Sequence, residues 1–399
     1  MKKKQHIPPY TTLYRLSSWM FFSLIIFTFM GASPYPDRIV LTWAGDPAHS
    51  QAVTWRTDRS VTQAMAQIGI AQDNGDEIKA EEKVAITTPL HSDSDGAVNY
   101  HSVNFEDLAP ATTYAYRVGD GKQWTEWFHF KTAALEAVPF SFLYFGDAQR
   151  DIKKNWSRVF RQAFRHASDA AFTLHAGDLI NRAENDEQWG EWFNAPGWVN
   201  AVIPVIATPG NHEYVSEQDT RRLSSFWQPQ FTFPQNGPEG VKESCYYIDY
   251  QGARIISLNS NEKQEEQKQW LEEVLSHNPQ RWTIVTFHHP IFSPAVHRDN
   301  KELRNLWKPI FEKYHVDLVL TGHDHTYART HAEETAYVVS VSGSKFYKLN
   351  KQPWMNRSGV ETQLYQVVRI DADVLTFETY TATGILFDKF ELKKQEDGK

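Results

Sequence analysis

The chain has 399 residues and a formal charge of −8, from 41 Lys and Arg against 49 Asp and Glu. That length exceeds one compact core of ordinary size, so two domains are expected, and an apolar fraction of 41% excludes a disordered chain. No basic stripe marks duplex nucleic acid as a partner. The single cysteine, Cys245, excludes an intrachain disulfide and a cysteine-rich metal knuckle, and reads as a buried apolar residue.

At the N-terminus, Lys2, Lys3, Lys4 and Arg15 precede an apolar run from Trp19 to Met30, followed by Gly31, Ala32 and Ser33. Residues 1–33 therefore read as a secretory signal or an uncleaved N-terminal anchor, the run being shorter than the ~20 residues of a spanning helix. Export is the expectation, with membrane contact only if the segment is retained.

From Asp37 to about Lys131, short alternating apolar runs are separated by turn dipeptides. Strands are predicted at Ile39–Trp43, Ala52–Trp55, Val84–Ile86, His101–Phe105, Tyr114–Val118 and Trp127–Phe130. Asp46-Pro47, Asn74-Gly75, Asp95-Gly96 and Asp120-Gly121 supply turns. Residues 36–132 thus predict a β-sandwich, and Leu108–Tyr114 resembles the tyrosine-bearing corner of a fibronectin type III domain. No catalytic constellation falls here.

From 138 to 395 the texture changes. Apolar runs at Phe140–Phe145, Ala170–Leu174, Val202–Ala207, Ile255–Leu258, Trp282–Phe287 and Val316–Leu320 alternate with helical periods. Helices are predicted over Trp156–Phe164, around Trp270–Leu275, and over Lys301–Tyr314, the last kinked or interrupted by Pro309. This alternation predicts an α/β domain.

Five polar motifs each follow one of those runs. They are Gly146-Asp147-Ala-Gln149, Gly177-Asp178-Leu-Ile-Asn181, Gly210-Asn211-His212-Glu213, His288-His289-Pro290 and Gly322-His323-Asp-His325. Loops at the carboxyl ends of strands are where ligands gather in α/β sheets. A lone Gly-Asp is most often a turn. Five such motifs in order are not explained as surface turns, and their mixed oxygen and imidazole donors exceed the needs of one ion. Two metals roughly 3.5–4 Å apart would use them, with one carboxylate shared.

The ordered set resembles the calcineurin-like metallophosphoesterases and, within them, the purple acid phosphatases. The likeness extends to Pro36–Trp43 and Thr376–Gly384. It implies a four-layer α-β-β-α sandwich preceded by a fibronectin type III-like β-sandwich. It implies two metal ions, drawn from iron, zinc or manganese, and a small phosphorylated substrate. Asp147 and His325 would hold the first metal, Asp178 would bridge, and Asn211, His288 and His323 would hold the second. His288 rather than His289 matches, through Val285-Thr-Phe-His288. His212 would assist at the leaving-group oxygen, with Glu213 orienting its ring or standing as a solvated turn residue. His297 and Arg298 would contact substrate phosphate, and Arg150 is a further candidate clamp.

Two positions depart from the family pattern: Gln149 stands for a glycine and Asn181 for the tyrosine whose tyrosinate colours the iron. Either could complete the first site or act only as a hydrogen-bonder. The resemblance implies acid phosphatase-like hydrolysis of monoesters. A phosphodiesterase or nucleotide pyrophosphatase on the same cluster is the alternative, and a non-catalytic surface binding protein the rival from another class. Trp189, Trp192, Phe193 and Trp198 read as core, or as a platform for a ring.

Overall fold

The structure, a computed structural model, describes residues 32–92, 96–217 and 220–394. The apolar segment Trp19 to Met30 and its basic flank lie outside the described residues.

Residues 37–131 form two antiparallel four-stranded sheets packed face to face. One orders Asp37–Thr42, Gln51–Asp58, Gly96–Phe105 and Ile86–Ser92; the other orders Glu81–Val84, Met65–Ile70, Thr113–Gly119 and Phe128–Lys131. Leu41, Val53, Trp55, Tyr116 and Phe130 fill the space between them. The run around Val84 and Ile86 is not one strand. The chain leaves one sheet at Val84 and enters the other at Ile86, both exposed. The Tyr114 hydroxyl oxygen accepts from the Ala109 backbone N–H at 2.8 Å, closing the tyrosine-bearing corner.

The remaining chain is a four-layer α-β-β-α sandwich. Its first sheet has six strands; Phe140–Phe145, Phe172–His175 and Val205–Ala207 run parallel, and Leu364–Asp371, Val374–Thr381 and Leu386–Lys393 continue it antiparallel. The second has seven strands around the parallel set Ala253–Ser257, Trp282–Thr286, Leu318–Thr321 and Thr335–Val339. Parallel strands buried on both faces need near-continuous apolar sequence, which is why these runs were legible.

Helices cover both outer faces. Ser157–His166 packs on the first sheet, burying Val159, Phe160 and Ala163. Gln264–Ser276 and Lys301–Lys313 cover the second, the latter burying Leu303, Trp307, Ile310 and Phe311 at three- and four-residue spacing. Pro309 does not interrupt this helix. It frees the carbonyl of Asn305, and both residues are exposed, so water satisfies that oxygen.

A helix the sequence reading did not contain, Asp186–Asn194, buries Trp189, Trp192 and Phe193. Asn185 caps it, accepting from Gln188 N at 2.8 Å. These three aromatics are core, and truncating either tryptophan would cost about 3–5 kcal/mol. Trp198 instead is 58% exposed, edge-on to Phe164.

The same helix joins the two domains. Its Asp186 takes Arg38 at 2.7 Å and Arg56 at 2.9 Å, while Arg56 also pairs with Asp37 and Arg38 donates to the Tyr100 hydroxyl. Burial opposes charge on Arg38 and Arg56, yet these partners hold both guanidinium pKa values above the ordinary arginine range. Tyr116 adds a 2.7 Å bond to the Ala201 carbonyl.

Candidate metal centre

All five motifs arrive at one place, because each follows the carboxyl end of a parallel strand and the two sheets present those ends together. Two glycines permit the approach. A Cβ on Gly210 would lie 2.2 Å from Asp178 Oδ1, and one on Gly322 would lie 2.4 Å from Asp147 Oδ2. Asp147, Asp178, His323 and His325 all hold left-handed backbone, with φ of 35°, 52°, 70° and 46°. Strain concentrated on four of six candidate ligands is the mark of a functional site.

Around His288 the donors are dense. Its Nε2 lies 3.2 Å from Asp178 Oδ2, 3.1 Å from Asn211 Oδ1 and 3.1 Å from His323 Nδ1. Its Nδ1 faces the Ala176 carbonyl at 2.9 Å, which orients the ring. One ring nitrogen cannot serve three partners, so the geometry suits a cation among them.

The opposite side holds Asp147, His325 and Gln149. His325 Nε2 is 3.7 Å from Asp147 Oδ1, and Asp147 Oδ2 accepts from His323 N at 2.6 Å. Gln149 is fully buried, its Nε2 standing 2.7 Å from Asp178 Oδ2 and 3.1 Å from His325 Nε2. Asp147 Oδ1, Gln149 Oε1 and His325 Nδ1 are buried without a hydrogen-bond partner. Asp178 Oδ2 therefore faces both sides, as a bridging ligand must. Donor type, convergence and orphaned atoms all fit two metal ions held by these residues.

The electrostatics are those of carboxylates and imidazoles buried together. Burial, with the Asp178 carboxylate, pushes the Asp147 carboxyl well above the usual range despite the opposing pull of His288. Burial would do the same to Asp178, but His288 overrides it and holds that carboxyl well below. Burial disfavours charge on His288 too, yet Asp178 and Asp147 carry it up to about 9. Burial lowers His325 to about 3 and His323 further, leaving both neutral and competent as ligands.

His212 is positioned by the same loops. Its Nδ1 bonds the Asn181 carbonyl at 2.8 Å and its backbone N donates to Asp178 Oδ1 at 2.9 Å, leaving Nε2 turned toward Asp178 Oδ2 at 3.9 Å. Glu213 neither orients this ring nor meets solvent. It is fully buried, and its carboxylate takes the backbone N–H groups of Gly210, Asp178 and Leu179 at 2.6–2.9 Å. It ties the second and third motif loops together, while burial and Asp178 push its pKa up to about 7.

The substrate-contact candidates are less closely joined. His297 is exposed, in left-handed backbone at φ 62°, with no contact to the cluster among the described residues. Arg298 is committed to the His323 carbonyl at 3.2 Å and Asp324 at 3.3 Å, its guanidinium lying over the Tyr347 ring. Arg150 is exposed and lines a recess of ≈ 630 Å³ with Lys153, Lys154, Asn181 and Gln188. Cys245 is buried and free.

Two neighbours, Lys345 and Tyr347, escaped the sequence reading, and His289, set aside there in favour of His288, also lies at the centre. His289 stands with its ring 4.1 Å from that of His323, held by the Ser260 hydroxyl at 2.8 Å. Tyr347 lies edge-on to His325 at 4.7 Å, with the Lys345 ammonium 5.1 Å over its ring. Lys345 and Tyr347 sit on a sixth strand-end loop, after Thr335–Val339. The signal was present, an apolar run followed by Ser342-Gly343-Ser344, but it carries no ligand residue.

Comparison with known proteins points to a family. The description "Purple acid Phosphatase, N-terminal domain" matches residues 36–132, and "Calcineurin-like phosphoesterase" matches residues 140–327. The chain thus matches, in order, a purple acid phosphatase N-terminal domain and a calcineurin-like phosphoesterase domain. The Fe(3+)-Zn(2+) purple acid phosphatase 12 of Arabidopsis thaliana is 28% identical over 246 residues, 58% of this chain and 52% of that protein. The human acid phosphatase type 7 is 28% identical over 360 residues, 81% of this chain and 77% of that one. Among solved structures, the purple acid phosphatase PPD1 of yellow lupin superposes with a TM-score of 0.77 at 17% identity, covering 91% of this chain and 74% of that one. PhoD gives 0.66 at 12% identity, covering 91% and 94%. At these identities the structural likeness is one of fold.

Proposed function

We propose that this phosphoesterase hydrolyses phosphate monoesters at a two-metal centre, on a substrate met after export. The convergence of Asp147, Asp178, Asn211, His288, His323 and His325 beside an oriented His212 carries the reading. Held by these residues, two cations would supply an acidified water as nucleophile and charge to neutralise the phosphoryl oxygens.

The chain's own residues do the rest. Asp178, facing both sides, sets the spacing of the centre. His212, with Nδ1 engaged by the Asn181 carbonyl, offers Nε2 to the leaving-group oxygen, and as imidazolium it donates the proton there. Glu213 keeps the loops carrying Asp178 and His212 in register. Arg150, Lys153 and Lys154 line the adjoining recess, facing Asp151, Glu187 and Glu191 there.

The test is hydrolysis of p-nitrophenyl phosphate against its bis-ester, using chelator-stripped protein reloaded with zinc, manganese or iron. Metal-dependent turnover favouring the monoester is expected. Preference for the bis-ester would replace this reading with a diesterase, and no turnover with any metal would favour a binding protein.

A further inference from the structure

Gln149 is drawn into the centre from the first motif loop. Its backbone N donates to the Asp178 carbonyl at 3.1 Å, and its side chain is buried between Asp178 and His325. With the amide oriented as it stands, NH₂ serves the Asp178 carboxylate and the His325 ring, and Oε1 is stranded in the interior. A buried carbonyl left unpaired costs about 1–3 kcal/mol. The two ends of an amide exchange by a half-turn about one bond. Reversed, Oε1 would stand 2.7 Å from a carboxylate oxygen and 3.1 Å from an imidazole nitrogen, three lone-pair donors facing one another. That arrangement is repulsive unless a cation lies between them.

The spacings, which lie in the range of ordinary hydrogen bonds, also fit ligands around one cation. With six ligands at bonds near ~2.1 Å, neighbouring ligand atoms stand ~3 Å apart. The same spacing recurs on the other side of the centre, at 3.1–3.2 Å around His288. Asn181, the other departure from the family pattern, engages His212 and Gln188 through its backbone and has no side-chain hydrogen bond among the described residues.

We infer that Gln149 turns its amide oxygen into the centre and ligates the metal ion shared with Asp147, Asp178 and His325. The inference rests on the two-metal reading above. A neutral amide in the ligand set, with no phenolate, leaves the first site less negative and suits a divalent ion in place of a trivalent one.

Two substitutions separate ligation from hydrogen-bond donation. Gln149→Met keeps the length and removes both polar atoms. Gln149→Glu keeps an oxygen at the ligand position and removes every N–H. Zinc affinity of the chelator-stripped protein is read by competition with a coloured chelator, with bound metal counted by mass spectrometry and folding checked by near-ultraviolet circular dichroism.

The expected result is two ions in the wild type and first-site affinity weakened in Gln149→Met by more than the about 10–100-fold that loss of a hydrogen-bonder behind a ligand costs. Gln149→Glu should bind as tightly as wild type or more so. A Glu variant weakened as much as the Met variant would show that the N–H group was the part that mattered, and would overturn the inference. So would a Met variant with unchanged affinity. Should Gln149→Met fail to fold, the Glu variant alone decides by the sign of its change. Fewer than two ions in the wild type would overturn the two-metal reading, and this inference with it.

Discussion

Two polar clusters of this molecule, one at the domain seam and one in the phosphoesterase domain, differ in whether they are complete. At the domain seam, Arg38, Arg56, Asp37, Asp186 and Tyr100 pair donor with acceptor at 2.7–2.9 Å. In the phosphoesterase domain, Asp147, Asp178, Gln149, His288, His323 and His325 crowd at similar spacings but leave three buried atoms without partners. Between these two clusters, burial of charge does not distinguish structure from function; satisfaction does. The seam balances itself, whereas the centre is balanced only when cations are added.

Substitutions should divide along that line. The largest effect on turnover is expected from Asp178→Ala, which removes the bridging carboxylate. Metal-dependent hydrolysis of p-nitrophenyl phosphate should disappear and bound metal should fall, with the fold retained by circular dichroism. His212→Ala should lower kcat by roughly 10²–10⁴-fold with metal content unchanged, since its imidazole is a proton donor and not a ligand. Asn211→Ala next to it should lose metal as well. Equal metal loss in both would remove His212 from its assigned role.

The seam should respond in stability. Asp186→Ala leaves two buried guanidinium groups short of a carboxylate and should cost about 3–5 kcal/mol in urea unfolding, with the zinc affinity of folded protein unchanged. A smaller cost would mean that water or Asp37 compensates.

A milder test uses His101 in the sandwich, whose Nε2 meets the Thr57 hydroxyl at 2.8 Å and whose Nδ1 meets Thr87 at 2.9 Å. Burial lowers its pKa to about 4. The folded state thus binds its proton less readily than the unfolded chain, where the value is ~6.5. Its contribution is present above that pH and is lost as the pH falls through 4, by about 3 kcal/mol. His101→Gln should flatten that part of the stability profile.

The parallel strands and their terminal motifs were legible because a strand buried on both faces must be continuously apolar and must stop where a polar loop begins. Helix Asp186–Asn194 was not legible, because its buried tryptophans read as an aromatic run and not as one helical face. The role of Glu213 was equally hidden. Its position beside His212 suggested a partner for that ring, but its carboxylate turns instead toward backbone N–H groups more than thirty residues earlier, at Asp178 and Leu179. Gln149 was visible only as a departure from a pattern. Its place between Asp178 and His325 depends on a contact between loops that spacing does not encode.

The most direct measurement counts the metal ions held by each folded chain after chelator-stripped protein is re-equilibrated with zinc or manganese. Two ions per chain, bound cooperatively with the recovery of phosphoesterase activity, are predicted. A folded chain that takes up none would show that the orphaned atoms at the centre are satisfied in some other way, and would contradict the account.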